Sequence, residues 1–123
     1  MSDAILFTDE DRQEVVLVHV MAQRLLEPPQ ADSLSCHLVE LFDSGALCVL
    51  VDLSAVQRLS SIFFRTFIIA GKKARENRAR LAFCGLAPMI QEGFALAGLN
   101  ELFPVYKSES DALSELRKNS RHG

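Results

Sequence analysis

The sequence predicts an α/β domain: a mixed, mostly parallel sheet of four to five strands packed with about four helices. Three observations predict it. The runs "ALCVLVDL" and "RLAFCGL" are continuously apolar, without the alternation of a half-exposed strand, so they read as strands covered on both faces. Each is followed within a few residues by a segment with apolar residues at helical spacing, and strands alternating with helices form parallel sheets covered by helices. A chain of 123 residues suits one domain, and about two-thirds of its unfolded surface can be buried without a metal or disulfide staple.

The elements follow in order. "AILFTDEDRQEVVLVHV" reads as two strands around an acidic turn, with Asp9 to Glu14 too polar for the core and Val15 to Val20 β-branched. "EPPQADS" breaks regular structure, because Pro28 and Pro29 exclude a ladder or a helix interior. Leu34, Leu38, Leu41 and Phe42 then share one face of a helix, with Asp32 or Ser33 as its cap and Gly45 as its stop. The "ALCVLVDL" strand comes next, then a helix over "IFFRTFIIAGKKAREN" with Phe64, Phe67, Ile68 and Gly71 at helical spacing. Lys72, Lys73, Arg75 and Arg78 crowd its far end, where cations complement the helix dipole. After "RLAFCGL", Pro88 fits the first turn of a helix carrying Ile90, Phe94 and Ala97 on one face and stopping at Gly98. "LFPVYK" is a brief strand, and "SESDALSELRK" a last helix capped by Ser108 or Ser110. Residues 1–118 are expected as one domain and 119–123 as a frayed tail.

Composition excludes more than it proposes. Net charge is −3, so no global field draws the chain to nucleic acid or an anionic membrane. Tyr106 is the only tyrosine and Trp is absent, which argues against a base-stacking platform. No apolar run reaches the roughly 20 residues of a membrane helix, and the N-terminus lacks the pattern of a signal peptide. Cys36, Cys48 and Cys84 are odd in number and widely spaced, which fits neither a disulfide framework nor a zinc site. A reducing, cytoplasmic setting is expected, with no cofactor and no metal.

Enzyme signatures fail as well. The chain has no dinucleotide fingerprint, Walker motif or nucleophile elbow. His19, His37 and His122 are far apart and read as packed or surface histidines. Asp52 ends a strand, where open α/β sheets place ligands. It reads more readily as a loop anchor, because Asp bonds nearby backbone amides, and Asp52 and Ser54 stand together as loop-anchor or ligand residues. Paired hydroxyls at Ser60 and Ser61 stand where strand and loop give way to a helix. They read as a helix cap, a nucleophile or a phosphorylation site.

Three stretches carry a likeness that favours the last. "VLVDLSAV" at 49–56 is similar to a strand and Asp-Leu-Ser-Gly-Val turn of STAS domains. "RLSSIFF" at 58–64 falls where that family has Asp-Ser-Ser-Gly. "LAGLNELFPVYKSESDAL" at 96–113 matches its C-terminal pattern. The chain resembles STAS domains of the bacterial anti-sigma factor antagonist type along essentially its whole length. The resemblance implies a STAS-like fold and a regulatory binding module without enzymatic activity. It would act by partner switching with an anti-sigma factor that is also a histidine-kinase-like serine kinase. By position Ser61, and less so Ser60, is the phosphorylated residue, and Ser60, Ser61, Ile62, Phe63 and Arg65 are the partner-binding stretch. This chain departs from the family at Ser60, Ile62 and Phe63, which replace an acidic residue, a serine and a glycine. The alternatives are an unphosphorylated scaffold that self-associates as a homo-oligomer, and a small enzyme or ligand-binding domain at the strand ends near Asp52 and Gly85.

Overall fold

The structure, a computed structural model, describes residues 7–12 and 14–122, with side chains as far as 117. The apolar start at Ala4, Ile5 and Leu6, expected within the first strand, lies outside the described residues. In chain order the elements are β1 (Phe7–Arg12), β2 (Val15–Val20), β3 (Arg24–Leu25), α1 (Pro28–Asp43), β4 (Cys48–Asp52) and β5 (Arg58–Leu59). Then come α2 (Ile62–Glu76), β6 (Arg80–Cys84), α3 (Pro88–Ala97), the one-turn α4 (Leu99–Leu102), β7 (Val105–Tyr106) and α5 (Glu109–His122).

The continuous apolar runs take the middle of the sheet. Every residue of β4 is buried, and every residue of β6 but the first. The sheet order is β1-β2-β4-β6-β7, parallel except for the antiparallel edge β1. Alternate residues sort to two faces. On one, Val18, Val20, Val49, Val51, Leu81 and Phe83 pack under α1 to α4. On the other, Val15, Leu17, Cys48, Leu50, Ala82 and Cys84 meet Ala112, Leu113 and Leu116 of α5. Phe67, Phe83 and Phe94 knit the first core, with ring centroids 4.8 to 5.9 Å apart. Helices α1 and α2 lie side by side. Thr66 Oγ1 donates to the Ala31 carbonyl (3.5 Å) at one end, and Asn77 Nδ2 to the Phe42 carbonyl (2.9 Å) at the other.

The structure departs from expectation at four places. Pro28 and Pro29 open α1 rather than preceding it. Proline is tolerated in the first turn, and Gln30 Oε1 accepts the Leu26 and Glu27 amides (2.9 and 3.0 Å), so neither Asp32 nor Ser33 is the cap. Asp9 to Arg12 of the acidic stretch is strand, with the turn left to Glu14, because an edge strand pairs on one side only and can leave its charges in water. On α2 the buried stripe is Phe63, Thr66, Phe67, Ala70, Gly71 and Ala74. Ile68 faces outward. The last helix carries on to His122, through residues expected as tail. Among expectations met, Gly98 stops α3 in the left-handed conformation (φ +77°), and Ser108 Oγ accepts the Asp111 amide (3.2 Å) at the start of α5.

Candidate functional site

The segment from β4 to α2 is held at nearly every step. The Leu53 amide donates to the Cys84 carbonyl (3.0 Å), and Val56 to Leu53 (2.9 Å). Asp52 Oδ1 accepts the Ser54 amide at 2.9 Å, the geometry of a loop anchor. Gln57 and Arg58 both donate to the Gln23 carbonyl (2.7 and 3.1 Å), which starts the two-residue parallel ladder β3–β5. Ser60 then donates its amide to the Leu25 carbonyl (2.8 Å), and its own carbonyl accepts Phe63 N–H (3.0 Å). The ladder therefore delivers the paired serines to the first turn of α2 in a fixed position.

The two hydroxyls have separate roles. Ser60 Oγ accepts the Ile62 amide, at 3.4 Å, and so serves one orphan donor of the helix start. Ser61 occupies the N-cap position, but its backbone is already helical (φ −62°, ψ −16°) and its side chain makes no capping bond. Its residue is exposed. The Ser61 hydroxyl thus stands at the positive end of a 15-residue helix without a structural task there.

Around it the surface is mixed. Ile62 is 38% exposed and Ile69 42%. Arg65 is exposed and lies four residues on from Ser61, on the same helix face. These residues border a shallow groove of about 380 Å³ between α1 and α2, lined on the α1 side by Pro28, Ala31 and Asp32. Phe63 is a correction to the sequence reading. It is fully buried in the core, because its position on α2 faces the sheet, and it cannot touch a partner without leaving that core. Ile69 and Pro28 were missed by the sequence reading; their signal is spacing on α2 from Ile62 and the side-by-side packing of α1.

A second group of polar side chains gathers on the α5 face. Register places His19 of β2 beside Asp52 of β4, and α5 begins above them with Glu109. His19 Nδ1 lies 3.4 Å from Asp52 Oδ2 and 4.0 Å from Glu109 Oε2, while its Nε2 is 3.1 Å from Glu10 Oε1. Burial by itself pulls the His19 imidazolium down. The hydrogen bond to Glu10 and the charges of Glu109 and Asp52 outweigh it and hold the group above its ordinary 6.5. Contact with His19 and Arg12 lowers Glu10. Cys84, on the same face, is pushed up to about 12 by burial and by the Asp52 and Glu109 charges. His37 stacks on Phe7 (4.3 Å between centroids) and meets Asp9 at 2.8 Å, apart from both groups.

The residues thus build a mixed, mostly parallel α/β sheet covered by helices, with a serine exposed at the start of its second helix. The chain belongs to the STAS domain family, whose sequence model matches residues 11–112. It is similar to BtrV of Bordetella bronchiseptica, described as a candidate anti-sigma factor antagonist, at 27% identity over 95 residues, covering 77% of this chain and 82% of that one. Among solved structures, an anti-sigma factor antagonist from Mycobacterium paratuberculosis superposes with a TM-score of 0.81 at 24% identity, covering 95% of this chain and 97% of that one. The anti-sigma factor antagonist SpoIIAA superposes in its unphosphorylated form with a TM-score of 0.78 at 13% identity, over 91% of this chain and 96% of its own. Its phosphorylated form, from Bacillus, gives 0.70 at 13% identity, over 89% and 98%. The likeness read from the three sequence stretches, and the fold it implied, are borne out. No helix among the described residues is long and apolar enough to cross a membrane.

Proposed function

We propose that this protein is a non-enzymatic anti-sigma factor antagonist that acts in the cytoplasm by partner switching, with Ser61 as its phosphorylated residue. The partner is an anti-sigma factor that doubles as a histidine-kinase-like serine kinase. The observation that carries the assignment is the division of labour between the serines: Ser60 caps the helix, and Ser61 is exposed with no capping bond. A kinase can therefore modify Ser61 without removing a structural contact.

The switch follows from charge. Phosphate brings about −1.5 to −2 charges. Within the fold, the helix N-terminus and the Arg65 guanidinium on the same face favour that charge. In a complex, Ser61, Ile62, Arg65 and Ile69 meet the partner, and burying a phosphate where a neutral hydroxyl fitted carries a large desolvation cost. Binding is lost without refolding.

The test is a titration of the host's anti-sigma factor kinase with wild-type protein, Ser61→Ala and Ser61→Asp. Ser61→Ala should bind within about twofold of wild type, and Ser61→Asp at least about tenfold more weakly, a difference of about 1.4 kcal/mol. Equal affinities for all three would refute a switch at Ser61 and favour the unphosphorylated scaffold.

A further inference from the structure

We propose that His19, Asp52 and Glu109 form a binding site for one first-row divalent transition-metal ion, of the zinc or cobalt type. The site is distinct from Ser61 and lies on the opposite face of the sheet.

Geometry is the first support. One donor atom from each of the three residues lies within 4.8 Å of the others. His19 Nδ1 is already 3.4 Å from Asp52 Oδ2 and 4.0 Å from Glu109 Oε2. Ligands about 2.0–2.2 Å from a shared ion stand roughly 3 to 3.6 Å from one another. A small turn of the Glu109 side chain, which is 33% exposed, closes the remainder. The three come from the ends of two adjacent strands and the start of a helix, so the fold fixes their backbones.

Preorganisation is the second. The far ring nitrogen of His19 meets Glu10 at 3.1 Å. A carboxylate behind a ligating imidazole sets its tautomer and raises its basicity. The other oxygen of Asp52 is fixed by the Ser54 amide. Both ligands are thus held from behind, with their free atoms turned toward each other.

Electrostatics is the third. With Nε2–H donated to Glu10, Nδ1 faces two carboxylate oxygens. They favour a positive species at that atom, which a proton supplies in the metal-free protein and a divalent ion would supply in exchange for it. Three carboxylates, Glu10, Asp52 and Glu109, surround the one imidazole. Arg12 offsets them from the side, at 3.0 Å from Glu10 and 3.8 Å from Glu109 Oε1. It thereby leaves Glu109 Oε2 turned to His19. One imidazole nitrogen with two carboxylate oxygens is a borderline donor set, suited to zinc, cobalt or manganese rather than calcium or a thiolate-seeking ion. Cys84 lies on the same face of the sheet but is not one of the three clustered donors. Water completes the coordination.

The experiment uses the full untagged chain, stripped with chelator and dialysed. Zn²⁺ is titrated by calorimetry near neutral pH, Co²⁺ is followed by its visible absorption, and long-range ¹⁵N spectra follow the histidines. One equivalent should bind, and Zn²⁺ should shift His19 Nδ1 rather than Nε2. His19→Gln and Glu109→Gln, checked for folding by circular dichroism, should each weaken binding by at least about tenfold, as should Glu10→Gln from behind the ligand. His37→Gln should leave it unchanged. The proposal is overturned if wild-type protein binds no Zn²⁺ up to about 100 µM, if the ¹⁵N shift falls on His37, or if folded Glu109→Gln binds as wild type does.

Discussion

Substitution of Gly85 by alanine tests how tightly the loop that leads to Ser61 is held. Gly85 follows β6 with φ +74°, and Gly98 follows α3 with φ +77°. An L-residue in this left-handed region costs about 1–2 kcal/mol, so the backbone penalty is the same at both positions. The surroundings differ. A Cβ at Gly98 meets nothing within 4 Å. At Gly85 it would stand 2.9 Å from Ser54 Cβ, 3.0 Å from Asp52 Oδ1 and 3.2 Å from Ser54 Cα. None of these is the far end of a flexible chain, and Asp52 Oδ1 is the atom that holds the Ser54 amide. Overpacking of this kind adds about 1–3 kcal/mol. Gly98→Ala should therefore cost about 1–2 kcal/mol and Gly85→Ala about 2–5 kcal/mol. For a 123-residue chain one kcal/mol moves Tm by about 4 °C, which gives drops of about 4–8 °C and 8–20 °C. Thermal unfolding followed by circular dichroism or calorimetry resolves these. Equal drops for the two variants would refute the close packing of Gly85 on the Asp52–Ser54 turn.

Other consequences follow from the same contacts. Ser60→Ala should lower stability by about 0.5–1 kcal/mol, the low end for a cap because the bond is long, and Ser61→Ala should stay within about 0.5 kcal/mol of wild type. Urea unfolding measures both, and the reverse order would show that Ser61 is the cap. Iodoacetamide at mildly alkaline pH should label the exposed Cys36 in the native protein, while Cys48 and Cys84 are buried and Cys84 is pushed up to about 12. Peptide mapping that finds native Cys84 labelled at the rate of Cys36 would contradict its burial. With chelator present, the folded state holds the His19 proton more tightly than the unfolded chain. The stabilisation is then complete below the unfolded value near 6.5 and is lost as pH rises through the higher folded value. Tm of wild type should fall across that window relative to His19→Gln, and parallel profiles would remove His19 from the pH dependence.

The sequence showed its core where pattern and structure share a period. "CVLVD" and "LAFC" are buried strands because continuous apolar runs have no other place in an α/β fold. Phase was harder. In "IFFRTFIIAG" several apolar residues stand side by side, so two stripes fit equally well, and packing against the sheet selected Phe63 and Phe67 while turning Ile68 outward. The β3–β5 ladder has two residues per strand, too short for any period, yet it fixes Ser60. The prolines misled because the same residue that breaks a helix interior is suited to its first turn. The His19, Asp52 and Glu109 group has no sequence spacing at all. It exists through strand register and the docking of α5, and only the alternation 15, 17, 19 and 48, 50, 52 toward one face hinted at half of it.

Asp52 is where the two faces of the sheet meet. One carboxylate oxygen holds the Ser54 turn that leads toward Ser61, and the other faces His19 beneath α5. Such a residue invites an allosteric reading, but coupling needs an element with two arrangements that both sites bias. The segment between them is tied down by backbone bonds at Leu53, Val56, Gln57, Arg58 and Ser60, and Leu53 and Val56 are buried. Ser61 lies beyond the last of those ties, on the outer surface. A charge placed there changes what a partner must desolvate while leaving the chain that supports it where it was. A cation bound at the proposed His19 site would join two strand ends and a helix that are already packed, and would add to stability without moving the Ser61 face. On these contacts Asp52 is a fixed post between the two proposed sites, with Ser61 beyond the Ser54 turn and the His19 group on the opposite face of the sheet.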